Sequence, residues 1–339
     1  MRNLTTLCYI EQDGKYLMLH RIKKKNDVNQ HKWIGVGGHF EEGESPEECL
    51  LREVKEETGL TLLSWRFRGL ITFQSQGWGT EYMCLYTADR YEGVPTACNE
   101  GTLEWVPKDE VLNLNIWEGD KIFFRLLNED ATFFSMKLSY EGDRLVFASL
   151  DGKELELLDV VDEAGNPTGV VRERALVHQN GDWHRTCHIW AARKDEEGAW
   201  EVLLQKRSLS KETYPGCYDC SAAGHVKAGG TCLDGAVREI KEELGIYVKP
   251  EELEPFGEIR EDSEHEFHGN RLLERELITV YLYPVWGPLP EISLQKEEVE
   301  SVCWMKLDQC FSLVRSGELP NCLDLRELEA LKNFLDAKS

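Results

Sequence analysis

Two groups of glutamates share one spacing in distant parts of the chain. Each places carboxylates at positions i, i+3 and i+4, and the groups are Glu53, Glu56 and Glu57, and Glu239, Glu242 and Glu243. On a helix this spacing crowds like charges onto one face, at roughly 0.2–0.5 kcal/mol per pair. Mg²⁺, for which Mn²⁺ could substitute, binds carboxylates together with substrate phosphates. The pattern therefore predicts metal-assisted hydrolysis of a phosphoanhydride.

A solvated acidic stripe would explain one such group, but the surroundings of the two groups also repeat. A glycine-rich turn precedes each, and the spacing from Gly38 to Arg52 equals that from Gly224 to Arg238. Glycine lets a backbone turn tightly and approach a ligand closely. The repeat therefore indicates two similar domains, each with a site where the turn meets the helix.

Start and stop signals predict a helix in each copy. The first has an N-cap, a first-turn proline, a capping-box acid and a terminal glycine, namely Ser45, Pro46, Glu48 and Gly59. The second has Thr231, Asp234 and Gly245 in the corresponding roles. Strand-like segments surround both helices, at residues 4–10, 16–20, 33–36, 67–73, 81–86, 188–193, 201–206, 218–221 and 277–284. This alternation favours an α+β sandwich, and apolar spacing predicts a further helix over residues 323–337.

Polar, turn-rich sequence over residues 140–156 predicts a boundary between domains near residue 152. The predicted domains are residues 1–152 and 153–339.

Net charge and composition restrict the partners. A formal charge of −23 disfavours binding to a nucleic-acid polymer, whereas a bound metal would still admit small nucleotides or diphosphates. We expect no membrane span, because no apolar run approaches the roughly 18–20 residues that a span needs. The 11 scattered cysteines suggest thiols in the cytoplasm. The oligomeric state stays open.

The first copy resembles a complete Nudix box, carried by Gly38, Glu44, Arg52, Glu53, Val54, Glu56, Glu57, Gly59 and Leu60. The resemblance implies two Nudix folds in tandem, each an α/β/α sandwich with a mixed sheet. It also implies hydrolysis of nucleoside diphosphate derivatives, with Arg52 and Glu44 bracing the loop. The implied metal ligands are Gly38, Glu53, Glu56 and Glu57, and in the second copy Glu239, Glu242 and Glu243 beside Arg238.

The first half also resembles the MutT-like oxidised purine nucleoside triphosphatases. The segment from Trp33 to Gly37 and Gly38 matches their strand before the box, which implies that Trp33, Gly37 and Gly38 contact substrate. The resemblance implies that Trp117 stacks on the base, that Glu118 and Asp120 contact the purine edge, and that Glu100 is a further ligand or base. Ile34 departs from the pattern, since those enzymes use asparagine there to bind the purine.

The second half resembles the Nudix branch that includes isopentenyl diphosphate isomerase. His178, His184 and His225 approximate the metal histidines of that enzyme, and Gly224 with His225 would contact substrate. Ala223 occupies the place of its catalytic cysteine, so we expect hydrolysis of a small diphosphate instead of isomerisation.

Several alternatives remain open. Gly230 stands where the first copy has Glu44, which predicts a looser second loop that is still active. The second domain could instead bind a diphosphate without turnover, and the first could be a nucleotide-sugar or dinucleotide pyrophosphatase. Glu297 or Glu298 could add a carboxylate, and the Cys217–Cys220 pair is interpreted as packing.

Overall fold

The computed structural model describes residues 3–23, 27–267, 270–287 and 291–338. The chain has an α+β fold divided into two compact units. The first unit is Met1–Leu157 with Val171–Leu176, and the second is Leu158–Val170 with Val177–Ser339. The segment Val171–Leu176 therefore belongs to the first unit, although the second unit begins before it in the sequence.

A mixed sheet of nine strands forms the first unit within the described residues. The strands are β1 (Asn3–Gln12), β2 (Lys15–His20), β3 (Trp33–Ile34), β4 (Thr61–Ser75), β5 (Gly79–Glu92), β6 (Thr102–Pro107), β7 (Phe134–Glu141), β8 (Arg144–Leu150) and β9 (Lys153–Glu154). Their order is β3-β2-β1-β5-β4-β7-β8-β9, and β6 pairs with β2. β1 runs parallel to β5, and β4 to β7.

Helices cover both faces of this sheet. The helix α1 (Pro46–Thr58) buries Leu50 and Val54 against Cys8 and Ile10 of β1. The other face carries an aromatic cluster in which Tyr9 lies 4.7 Å, ring to ring, from Phe124 of α2 (Glu118–Asn128). The alternation of β1 side chains between the faces thus builds two cores around one sheet.

The second unit repeats this plan with a mixed sheet of seven strands among the described residues. They are β12 (His184–Lys194), β13 (Trp200–Arg207), β14 (Tyr218–Asp219), β15 (Ala222–His225), β16 (Glu254–Phe267), β17 (Asn270–Pro284) and β18 (Val299–Lys306). β12 runs parallel to β17, as β1 does to β5, and antiparallel to β13 and β15.

Alternate residues of β12 face two separate cores. Ile189 packs with Ile240 of α4 (Cys232–Leu244). Trp190 faces the other core, with Leu328 of α6 (Leu325–Asp336). The helix α5 (Leu307–Ser316) lies on this second face as well. Between the two sheets in sequence come β10 (Leu157–Val161), β11 (Pro167–Glu173) and α3 (Arg174–Asn180).

The predicted helix ends of α1 and α4 are confirmed. Ser45 and Thr231 each accept a hydrogen bond from the third helical N–H in a capping box. Gly59 and Gly245 end the helices with φ of 77° and 71°, a conformation that costs glycine little. Among the residues that the structure describes, no helix has both the length and the apolar character to cross a membrane.

Candidate active sites

Arg52 joins α1 to the glycine-rich loop in the first unit. Its Nε and Nη2 donate to the two carboxylate oxygens of Glu44 over 2.7 and 2.9 Å. Nη2 also donates to the His39 carbonyl over 2.9 Å, and Nη1 donates to Glu53 over 2.7 Å. The paired hydrogen bonds from Arg52 lower the pKa of Glu44 to about 2. A two-pronged charged pair of this kind is strong and directional.

The loop backbone lies directly against the glutamates of α1. A Cβ at Gly38 would collide with the Glu53 carboxylate, and the Gly37 N–H donates to Glu57 over 3.0 Å. The Glu56 side chain is 62% exposed and lies 3.5 Å from Arg52. The fold therefore places Glu53 and Glu57 against the loop and leaves Glu56 facing solvent.

A buried arginine brings Glu57 and Glu100 together. Arg21 forms an ion pair with Glu100, lies 4.0 Å from Glu57, and pairs with Asp27 at 2.5 Å. Burial raises the pKa of Glu57 to about 8; the Gly37 N–H opposes this rise and the Glu100 charge adds to it. A divalent cation would relieve this crowding of negative charge. The carboxylates and the close approach of Gly38 to Glu53 therefore fit Mg²⁺.

Trp117 lies in an aromatic pocket and is 4% exposed. Its ring is 4.7 Å from that of Tyr140, and the Lys32 ammonium lies 4.1 Å over it. The indole N–H donates to Asn29 Oδ1 over 2.8 Å. Burial raises the pKa of the neighbouring Asp120 to about 8, although Lys32 opposes the rise. This environment therefore favours the neutral form of Asp120.

The other residues compared with those purine nucleoside triphosphatases lie in different surroundings. The ring of Trp33 stacks on His20 at 4.4 Å, and Ile34 pairs with Leu19 in the sheet. The Glu118 carboxylate accepts hydrogen bonds from Lys121 over 2.8 Å and from Arg172 over 3.0 Å. Glu118 is thus engaged in ion pairs, whereas Asp120 is enclosed beside Trp117.

The second box repeats the contact between loop and helix. A Cβ at Gly224 would collide with the Glu239 carboxylate, as at Gly38. The Ala223 N–H donates to Glu243 over 3.1 Å. Burial, together with the Glu239 charge, raises the pKa of Glu243 to about 8. Glu242 is 47% exposed, so all three glutamates match their first-unit counterparts, and they fit Mg²⁺ on the same grounds.

Arg238 keeps carboxylate partners despite Gly230. Its guanidinium lies 2.7 Å from Glu239 and 3.0 Å from Glu242, and it donates to the His225 carbonyl over 2.7 Å. These carboxylates belong to α4, as Glu53 and Glu56 belong to α1 beside Arg52. Gly230 has no side chain to supply the loop carboxylate that Glu44 gives to Arg52.

Asp159 of β10 braces the second loop instead. It accepts a hydrogen bond from the Gly229 N–H over 2.7 Å and one from Arg185 over 3.3 Å. Arg185 also donates to the Gly230 carbonyl over 3.3 Å. The loop is therefore fixed by a residue of a distant strand.

The three predicted histidines meet around Glu276 of β17. His178, His184, His225 and Glu276 can each offer a ligand atom, all within 4.8 Å of one another. His184 Nε2 lies 3.4 Å from Glu276 Oε1, and His184 Nδ1 is 3.0 Å from the Asp182 carbonyl. Burial opposes ionisation of Glu276, but the three rings lower its pKa. Mixed imidazole and carboxylate donors suit zinc, manganese or iron.

Two weaker signals from the sequence were Glu298 as an extra carboxylate and the Cys217–Cys220 pair. Glu298 forms an ion pair with Lys211. Cys217 and Cys220 are free thiols, and Cys220 is fully buried.

Sequence reasoning missed Arg21, Asn29, Asp159 and Glu276 as parts of these sites. An arginine at the end of an apolar strand and a glutamate within a strand were the available local signals. Their partners lie far away in sequence, so only the folded chain brings them together.

Comparison with known proteins gives the family. The Nudix domain model matches residues 1–127 and 183–321. The chain is 38% identical over 156 residues to an uncharacterised Nudix hydrolase of Clostridium acetobutylicum, covering 46% of this chain and 72% of that protein. It is 32% identical over 153 residues to the oxidized purine nucleoside triphosphate hydrolase of Danio rerio, covering 44% and 96%. It is 27% identical over 188 residues to the isopentenyl-diphosphate Delta-isomerase of Cutibacterium acnes, covering 55% and 90%. The chain therefore belongs to the Nudix hydrolases and carries two Nudix domains.

Proposed function

We propose that the first unit converts 8-oxo-dGTP or related oxidised purine nucleoside triphosphates into the monophosphate and pyrophosphate. The observation that carries this proposal is the buried acid Asp120 beside Trp117, in a unit that also has a complete Nudix box. The Danio rerio relative, named for hydrolysis of oxidised purine nucleoside triphosphates, adds support.

Asp120 would read the edge of the base. Because burial favours the neutral form of its carboxyl group, Asp120 can donate one hydrogen bond and accept another. A purine edge offers both kinds of partner. A base that stacks on Trp117 would replace the Lys32 ammonium over the ring, and Lys32 would then be free to contact the base or a phosphate.

Mg²⁺ held by Gly38, Glu53, Glu56 and Glu57 would polarise phosphoryl oxygens and supply an activated water. The Arg52–Glu44 pair holds the loop so that Gly38 stays against Glu53. Glu57 and Glu100 are the two candidates for general base, since both lie at Arg21 near the glutamate face.

We propose that the second unit hydrolyses a different small diphosphate. It retains Glu239, Glu242 and Glu243, and Asp159 supplies the loop brace that Gly230 lacks. Ala223 has no thiol for isomerase chemistry. His178, His184, His225 and Glu276 would hold a second divalent metal, whose chemistry would be charge neutralisation near the substrate.

Ile34 supports one alternative. With an apolar side chain in place of a purine-reading asparagine, the first unit could be a nucleotide-sugar or dinucleotide pyrophosphatase, and the second a non-catalytic diphosphate-binding module.

Competition among substrates tests the first assignment. We expect the full chain with Mg²⁺ to cleave 8-oxo-dGTP in preference to dGTP and ADP-ribose, and Asp120→Ala to remove the preference. Equal rates on the oxidised and normal purine, or preference for ADP-ribose, would favour the alternative.

A further inference from the structure

A buried carboxylate of α6 fixes the orientation of His188 on β12. Glu327 is 2% exposed, and both of its oxygens are engaged. One accepts a hydrogen bond from the Trp190 indole N–H, and the other lies 2.8 Å from His188 Nδ1. Nδ1–H therefore donates to Glu327, which leaves Nε2 on the opposite edge of the imidazole.

The His188 side chain is not fully enclosed. It keeps 22% of its surface exposed, and within residues 3–23, 27–267, 270–287 and 291–338 no hydrogen bond is made by its Nε2. If the only role of His188 were to hold α6 against the sheet through Nδ1, its second ring nitrogen, Nε2, would not need to be accessible. The exposed nitrogen is therefore available to a ligand.

The strand position of His188 relates it to the histidine cluster directly and to Glu243 through the backbone of a neighbouring strand. Alternate residues of a strand share a face, so His188 lies on the same face as His184 of the histidine cluster. On the neighbouring strand β15 its partner in register is Ala223, whose N–H donates to Glu243 over 3.1 Å. His188 thus lies on the α6 face of the sheet, where the Glu276 charge acts on it, and the Ala223 backbone beside it in register contacts Glu243.

A metal at His188, Cys220 and Glu327 is the competing interpretation, because their ligand atoms lie within 4.8 Å of one another. Both Glu327 oxygens already accept hydrogen bonds, however. The Cys220 thiol donates to the Ala222 carbonyl over 3.3 Å, and burial raises the pKa of that thiol well above its ordinary value. Metals bind the thiolate form of cysteine. An ion pair of His188 and Glu327, here called the dyad, therefore accounts for this cluster better than a metal site does.

The dyad supplies positive charge in acidic surroundings. Burial alone would lower the pKa of His188, but the charge and hydrogen bond of Glu327 outweigh it and raise the pKa to about 9. Two other cations near the site already have carboxylate partners, since Arg207 lies 3.1 Å from Asp219 and Lys211 pairs with Glu298. The imidazolium at His188 can therefore offer Nε2–H to an anion.

We propose that His188 contacts the substrate of the second unit, with Nε2–H donating to an anionic phosphoryl oxygen of a bound diphosphate. Glu327 is the positioning residue that holds the ring in this orientation. The inference rests on the proposed diphosphatase function of the second unit and adds a cation from outside the Nudix box to it.

Histidine side-chain NMR of the full chain in Mg²⁺ tests this inference, with methylenediphosphonate as a non-hydrolysable probe. The chain has nine histidines, and single substitutions assign their signals. We expect the Nε2 signal of His188 to shift with the probe, in step with the ring signal of His225, which reports occupancy of the second site.

His188→Asn separates binding from folding. The asparagine amide lies where Nδ1 lies in histidine, so it can keep the Glu327 contact while Nε2–H is lost. We expect the dissociation constant of the probe, read at His225, to rise roughly ten- to hundredfold, as for loss of a charged hydrogen bond. His188→Gln restores a neutral donor near the Nε2 position and should recover part of this loss.

An unchanged dissociation constant in His188→Asn would overturn the inference and leave His188 as a lock for α6. A probe that shifts neither His188 nor His225 would overturn it as well. The diphosphatase proposal is judged separately, by whether Glu242→Gln abolishes any hydrolysis: a hydrolase that ignores His188 would keep that proposal and remove this one.

Discussion

The two Nudix boxes keep the same glutamates but brace their loops differently. In the first, Arg52 donates two hydrogen bonds to Glu44, which is a residue of the loop itself. In the second, Arg238 binds the helix glutamates, and Asp159 of β10 holds the loop through the Gly229 N–H. The hydrogen bonds that hold the loop can therefore come from a distant strand while the contact between loop and helix stays the same.

One buried acid in each unit also differs from its counterpart, in the direction in which its surroundings shift its pKa. Asp120 of the first unit is buried beside aromatic rings, and its pKa is raised to about 8. Glu276 of the second unit is buried among three histidines, and its pKa is lowered despite the burial. The first environment favours a neutral acid that can donate a hydrogen bond to a base. The second favours an anion that can help to hold a cation.

Asp120→Asn should produce the largest change in stability. Folding raises the pKa of Asp120, so between about pH 4 and about pH 8 the carboxyl group is ionised in the unfolded chain but neutral in the folded one. The free energy of unfolding therefore falls as the pH rises through this range. The amide that replaces the carboxyl group in this variant cannot ionise. At pH 8 we expect the free energy of unfolding of the variant to exceed that of wild type by on the order of 4 kcal/mol.

Hydrogen exchange of the β1 amides between pH 5 and pH 8, corrected for the intrinsic rate, measures this effect. Amides of β12 in the second unit are the control and should not respond. Equal pH dependence of β1 stability in wild type and Asp120→Asn would show that Asp120 is ionised in the folded protein, and the contrast with Glu276 would be lost.

Gly38→Ala and Gly224→Ala should each impair one site. The new Cβ displaces the end of a glutamate side chain and not the backbone, so the fold should persist while a metal ligand moves. A shift of this size costs roughly a hundredfold in rate. Titration with Mn²⁺, followed by electron paramagnetic resonance, should show one weakened site in each variant.

Gly257→Ala is the matched control, because nothing lies near its Cβ position. Retention of both metal affinities in Gly38→Ala and Gly224→Ala would mean that the close approach has no part in metal binding.

Glu44→Gln and Asp159→Asn should loosen different loops by a smaller amount. Each removes the charge from one carboxylate that holds a loop, and a hydrogen bond to a charged group is stronger than one to a neutral group. We expect faster amide exchange over residues 38–44 in the first variant and over residues 226–231 in the second, measured by mass spectrometry. If Asp159→Asn left residues 226–231 unchanged, the claim that the brace has moved to β10 would be wrong.

The local features of both boxes could be predicted because their signals are close in sequence. Caps such as Ser45 and Thr231 act within one helical turn, and the glutamate spacing is a helix-face pattern. The three histidines could be proposed only through resemblance, and their partner Glu276 lies in a strand where it has no distinctive neighbours.

Polar turns over residues 140–156 gave the predicted boundary near residue 152, within several residues, and the two compact units divide after Leu157. Glu141-Gly142-Asp143 and the turn at Asp151 were interpreted as a polar boundary, but they connect β7, β8 and β9 of the first sheet. Such residues mark hairpin turns as readily as linkers. Buried Tyr140 and Leu145 on either side belong to a core that the local pattern does not reveal.

A double dissociation tests most directly whether the two units hold separate hydrolytic sites. Hydrolysis of 8-oxo-dGTP, dGTP, ADP-ribose and dinucleoside polyphosphates would be measured with Mg²⁺ for wild type, Glu56→Gln and Glu242→Gln. We expect Glu56→Gln to abolish cleavage of 8-oxo-dGTP, and Glu242→Gln to spare it while removing another activity. Loss of 8-oxo-dGTP cleavage in Glu242→Gln, or its survival in Glu56→Gln, would contradict the assignment of the two units.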